Sequence, residues 1–172
     1  MDPYQPAEWH DFFLMVGGGA AALTGLVVVA MSLHLDVIAR DAVLRHRARS
    51  ILTGLAAVFM RCALVLMGGQ TARAVGSEIA FVCAIVTAAG IGSFWRASRS
   101  SRFVPRASMY RTAGSIACYS VEMTGALALF AGASQGLYVV AVAMVANFFF
   151  MISGSWLLLV GVTEDETLGQ RR

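Results

Sequence analysis

Long apolar runs recur five times along this chain, at 12–33, 51–69, 75–95, 112–131 and 137–162. Each is close to the roughly 20 helical residues that cross a hydrocarbon core of about 30 Å. Backbone N–H and C=O groups in lipid must be satisfied within the segment, which leaves the α-helix as the form each run can take. The expected fold is all-α: a polytopic membrane bundle of five transmembrane helices, forming one membrane domain over residues 1–172. The last run is the longest, and it is expected to tilt or to project beyond the bilayer. Composition agrees. Of the 172 residues 58% are hydrophobic and only 13% charged, too little charge to cover a soluble domain of this length. The acidic start, MDPYQPAEWHDFF, lacks the basic opening and small-residue cleavage site of a secretory signal.

The connections set an expected topology. All 13 Lys+Arg residues are arginine. LDVIARDAVLRHRARS, between the first and second runs, carries Arg40, Arg45, Arg47 and Arg49. RASRSSRFVPRASMYR, between the third and fourth, carries Arg96, Arg99, Arg102, Arg106 and Arg111 and no acid. The other two connections hold Arg73 and no charge at all, respectively. Arginine-rich loops stay in the cytoplasm. Five spans therefore put the N-terminus outside and the C-terminus inside. The first basic loop reads as a helix continuing from the first span, with Leu35, Ile38 and Ala42 on one face, either on the inner membrane surface or as a solvated linker. Arg45, Arg47, Arg49, Arg96, Arg99, Arg102 and Arg106 would lie near anionic lipid headgroups, each contributing on the order of 1 kcal/mol there; topogenic charge alone also accounts for them.

The first span contains VGGGAAALTGLVVVAMSL. Gly17, Ala21 and Gly25 recur every four residues, with Gly18 and Ala22 beside them. Such a face lets another helix backbone approach closely, and that contact drives association in lipid. Packing within the chain is the expected use, and contact with another subunit or a second copy is the alternative. The fourth span repeats the device more weakly through Gly114, Cys118, Glu122 and Gly125 or Ala126, bordered by Ser115 and Tyr119.

Two ionisable residues fall inside spans, where each costs about 2.5–3.5 kcal/mol on insertion scales. Arg61 lies ten residues beyond Ile51, and Glu122 ten residues beyond Thr112. Both starting points are cytoplasmic, so both charges sit roughly 15 Å deep. Equal depth and opposite sign point to an Arg61–Glu122 pair, in which neither remains a lone ion in low dielectric. A structural clamp is the first reading of that pair, a proton- or ion-handling site the second, and snorkelling of Arg61 to the outer surface the third. Asn147, on the fifth span, is expected to bridge helices through its amide. Glu78 is expected near the outer boundary, paired locally with Arg73.

Chemistry-bearing motifs are absent. Cys62, Cys83 and Cys118 form no CxxC pair and read as packing residues. His10, His34 and His46 are not at matched depth on facing helices, so neither haem nor metal is expected, and no other cofactor is indicated. No Walker loop, HExxH or Ser/His/Asp set occurs. The expectation is a non-enzymatic accessory, assembly or regulatory subunit that packs against other membrane proteins. The alternative is a homo-oligomeric ion channel or small transporter built on Arg61 and Glu122. Expected partners are membrane lipids and other membrane subunits or further copies, not nucleic acid.

EWHDFFLMVGGGAAALTGLVVVAMSLHLDVI, followed by RHRA and GGQTARAVGSEIA, resembles a widespread group of small bacterial polytopic membrane proteins. The resemblance covers roughly the first half of the chain. It implies a multi-pass protein of the bacterial plasma (inner) membrane and brings no activity with it.

Overall fold

The computed structural model describes residues 6–100, 106–133 and 135–169. Six helices follow one another: α1 (Pro6–Leu33), α2 (Leu35–Arg40), α3 (Ala42–Leu66), α4 (Ala72–Ser100), α5 (Arg106–Phe130) and α6 (Gly136–Gly169), with no strand among the described residues. All but α2 are long and apolar enough to cross a membrane, over Ala7–Leu33, Leu44–Leu66, Ala72–Gly92, Ala113–Phe130 and Gly136–Trp156.

The order of packing is a closed ring. α3 packs on α4, α4 on α5, α5 on α6, and α6 back on α3. The diagonal pairs, α3 with α5 and α4 with α6, do not touch through their backbones. α1 stands outside the ring, held along one side by α3 and touching α6 only lightly. At its start, Trp9 meets Tyr138 of α6 edge-on, with ring centroids 6.3 Å apart.

The tightest contacts of the ring use glycine. A Cβ on Gly76 of α4 would stand 2.7 Å from the Ala126 carbonyl oxygen and from the Phe130 amide nitrogen of α5. One on Gly125 of α5 would stand 2.9 Å from the Gly136 carbonyl and the Val140 amide of α6. Hydrogen is the only substituent that fits between backbones this close, and in lipid such approach supplies most of the packing. Two further glycines close the connections with positive φ, Gly69 at 78° after α3 and Gly132 at 91° after α5, where an L side chain would be strained.

Two details differ from the sequence reading. The basic loop is not a continuation of the first span. His34 (φ −120°, ψ 29°) and the extended Asp41 (φ −99°, ψ 121°) isolate α2 as a separate six-residue helix. Ala42 belongs to α3 rather than to the face of Leu35 and Ile38. The break lets Ile38 turn inward onto Val27, Met31, Leu44, Ile51 and Met151, a second apolar core at the arginine-rich end. Arg45 Nη1 donates to the Ala39 carbonyl at 3.1 Å, satisfying a group that the short helix leaves free. The second difference lies at Glu78. Gln70 Nε2 donates to both of its carboxylate oxygens, at 3.1 and 2.9 Å, while Arg73 is exposed. Arg73 and Glu78 are five residues apart on α4, about 140° around the helix, so their side chains do not share a face, whereas Gln70 lies in the turn just before α4.

Candidate polar site at the bundle centre

Each helix of the ring contributes one polar side chain to a common layer: Arg61 from α3, Cys83 from α4, Glu122 from α5 and Asn147 from α6. Their neighbours on the same faces are apolar, with Val58, Val65, Ile79, Val86, Ala126, Val140 and Met144 all in the main core. The layer is therefore enclosed above and below by hydrocarbon. Arg61, Glu122 and Asn147 are each 0% exposed.

The ion pair crosses a diagonal. Arg61 Nη1 donates to Glu122 Oε2 at 2.5 Å. The same nitrogen lies 3.5 Å from Cys83 Sγ, and Arg61 Nε donates to the Ala57 carbonyl one turn back at 3.0 Å. Tyr119 is three residues before Glu122 and so shares its helix face. Its ring lies 5.4 Å from the guanidinium carbon, a cation–π distance. The sequence reading gave the pair a common depth and the role of a clamp. In the structure α3 and α5 are opposite corners, and the two long side chains bridge a gap that no backbone contact closes.

Satisfaction is incomplete. Arg61 Nη2, Glu122 Oε1, and both Nδ2 and Oδ1 of Asn147 have no hydrogen-bond partner. Asn147 lies against the Tyr119 hydroxyl, in an arrangement that satisfies neither of its amide atoms. Unpartnered buried polar groups cost about 1–3 kcal/mol each, and charged ones more.

The remaining candidates fall elsewhere. Ser115 is half-buried, one turn before Tyr119. Of the five small residues of the expected packing face on α1 only Gly17 is buried, where a Cβ would stand 2.9 Å from Cys62 Cβ. Gly18, Ala21, Ala22 and Gly25 are exposed, and a Cβ on Gly18 or Gly25 would meet nothing within 4 Å. The expected use of this stripe within the chain is thus corrected: the face buried on α3 is carried instead by Phe13, Val16, Gly17 and Ala20. At 100° per residue the centre of the exposed four lies about 140° around the helix from the centre of that face. Arg45 and Arg49 are exposed and Arg47 half-buried on the first turns of α3. The side chains of Arg96, Arg99, Arg102 and Arg106 lie outside the described residues.

Cys83 is the member of the layer that sequence reasoning passed over. A signal for it exists. It lies eight residues after the start of the run at 75, and Arg61 lies eight before the end of the run at 69, so the two share a depth. No group of three or more His, Cys, Asp or Glu residues capable of holding a metal occurs among the described residues. No family model matches this chain, and neither a curated protein nor a solved structure does.

Proposed function

We propose that this protein is a multi-pass component of the bacterial plasma membrane, with its N-terminus outside, that works without catalysis as an accessory, assembly or regulatory subunit. Five helices long and apolar enough to span support the membrane placement, and the arginine asymmetry of the connections supports the orientation. One observation carries the role: the small-residue stripe of α1 faces away from its own bundle. Gly18, Ala21, Ala22 and Gly25 are open on a helix that only α3 holds firmly. Close backbone approach is the main source of helix affinity in lipid, and this surface offers it to a helix from another chain.

Mild extraction from the native membrane tests this reading. A stoichiometric complex with another membrane protein, lost when Gly18 and Ala22 are both replaced by leucine, is the expected result. A protein that leaves the membrane alone, with or without the replacements, overturns it.

The second reading, an ion or proton pathway, is favoured by the polar layer at the centre of the ring. Reconstituted protein would then show flux that Glu122→Gln alters. No flux from either form sinks it.

A further inference from the structure

We propose that the centre of the four-helix ring is a binding site for water, held between Arg61, Glu122 and Asn147. The inference concerns the interior of the bundle, and it holds whichever role the protein plays in its membrane.

The argument rests on what the layer leaves open. Four polar atoms on three fully buried side chains lack partners. Two of them, Arg61 Nη2 and Asn147 Nδ2, can only donate. The other two, Glu122 Oε1 and Asn147 Oδ1, accept. Arg61 and Glu122 meet across one diagonal of the ring, and Asn147, fully buried on α6, reaches the same site through Tyr119, so three helices bring open polar atoms to the groups around that tyrosine. Tyr119, beside both the guanidinium and the Asn147 amide, ties the two together.

That donor–acceptor balance selects the ligand. A bare cation is opposed by the guanidinium. A bare anion is opposed by the carboxylate. An apolar occupant satisfies none of the four atoms. The fitting ligand is small, neutral, and able to donate twice and accept twice, which describes water. Buried waters of this kind bind polar groups that the protein leaves otherwise unpaired.

The layer supplies its own control. Cys83 (0% exposed) faces Arg61, whereas Cys62 (1% exposed) is turned to Gly17 of α1. The two thiols have the same intrinsic reactivity and the same burial, and only Cys83 borders the proposed water. X-ray radiolysis of the full chain in lipid nanodiscs generates hydroxyl radicals from bound as well as bulk water, and heavy-oxygen water marks their products. We expect Cys83 and Tyr119 to take up the label several-fold faster than Cys62. Equal, slow labelling of Cys83 and Cys62 overturns the proposal, and this comparison needs no variant. Asn147→Leu removes two of the four open atoms and leaves the ion pair intact, so it should reduce Cys83 labelling to the Cys62 rate. Undiminished labelling of Cys83 in that variant also overturns the proposal, because the water would then not be held by these groups.

Discussion

Arg61 and Glu122 join two helices, α3 and α5, whose backbones do not touch. A 2.5 Å ion pair thus spans the diagonal of a four-helix ring, and the side chains set a distance that the main chains leave undetermined. Two charges in an apolar interior are tolerable only together. Removing one leaves the other uncompensated, which costs about 3–5 kcal/mol where it has been measured in protein interiors. Replacing both with apolar groups removes the desolvation cost as well as the attraction.

Single and double replacements separate these terms. Arg61→Leu and Glu122→Leu should each destabilise the protein by about 3–5 kcal/mol in an SDS-unfolding equilibrium. The double variant should recover much of that loss. A double variant that loses as much as the two singles added together, or more, would show that the two residues do not stabilise one another as a pair.

The glycines of α4 and α5 make a second contrast. Gly76→Ala sets a methyl group 2.7 Å from α5 backbone atoms that cannot rotate away, so α4 and α5 must separate. Overpacking of this kind costs about 1–3 kcal/mol. Gly18→Ala on α1 meets nothing within 4 Å. There the gain in helix propensity, about 0.5–1 kcal/mol, should prevail. Opposite signs in the two unfolding midpoints are the expected outcome, and matched losses would show that Gly18 is enclosed.

Legibility from sequence followed the physics of each feature. The five helices were readable because lipid permits so few backbone forms, and their length alone identifies them. Arg61 and Glu122 were readable because an ionisable group in an apolar run stands out and depth can be counted from the run's end. Which helices are neighbours was not readable. A span count gives depth along the bundle axis but no azimuth, so the diagonal placement of α3 and α5 appears only in the structure. Cys83 was missed for a chemical reason: a thiol in an apolar run looks like any small packing residue until a guanidinium is placed beside it. Gly17 and Gly18 show the limit of periodicity. The stripe is plain in the sequence, but two adjacent glycines fall on opposite sides of the boundary between buried and open surface. The break at Asp41 left no Pro or Gly to mark it.

Partner binding and stability should separate on α1. Gly17→Val presses on Cys62 of α3 and should lower the stability of the isolated protein. Ala22→Leu, on an exposed position, should leave that stability within about 0.5 kcal/mol, as surface changes usually do. The same Ala22→Leu chain should no longer be recovered with its native complex. Recovery of an intact complex from Ala22→Leu would place the interface elsewhere on the molecule.

The proposed orientation rests on the charge of the connections and is directly measurable. The turn at 67–71 joins α3 to α4 at the end away from Arg45 and Arg49. Gly68 in that turn has open space around it, so Gly68→Cys should be accepted without strain. Arg45→Cys marks the opposite end on an exposed position. The native thiols Cys62 and Cys83 are buried, and Cys118→Ser removes the third, half-buried one from the background. A membrane-impermeant maleimide applied to intact bacterial spheroplasts should label Gly68→Cys at once and Arg45→Cys only after lysis. The positive-inside rule demands this order, because the basic turns of α3 would otherwise have to be translocated. The reverse order would place the N-terminus inside, and would require that the arginines of the two basic connections are held outside by something stronger than topogenic charge.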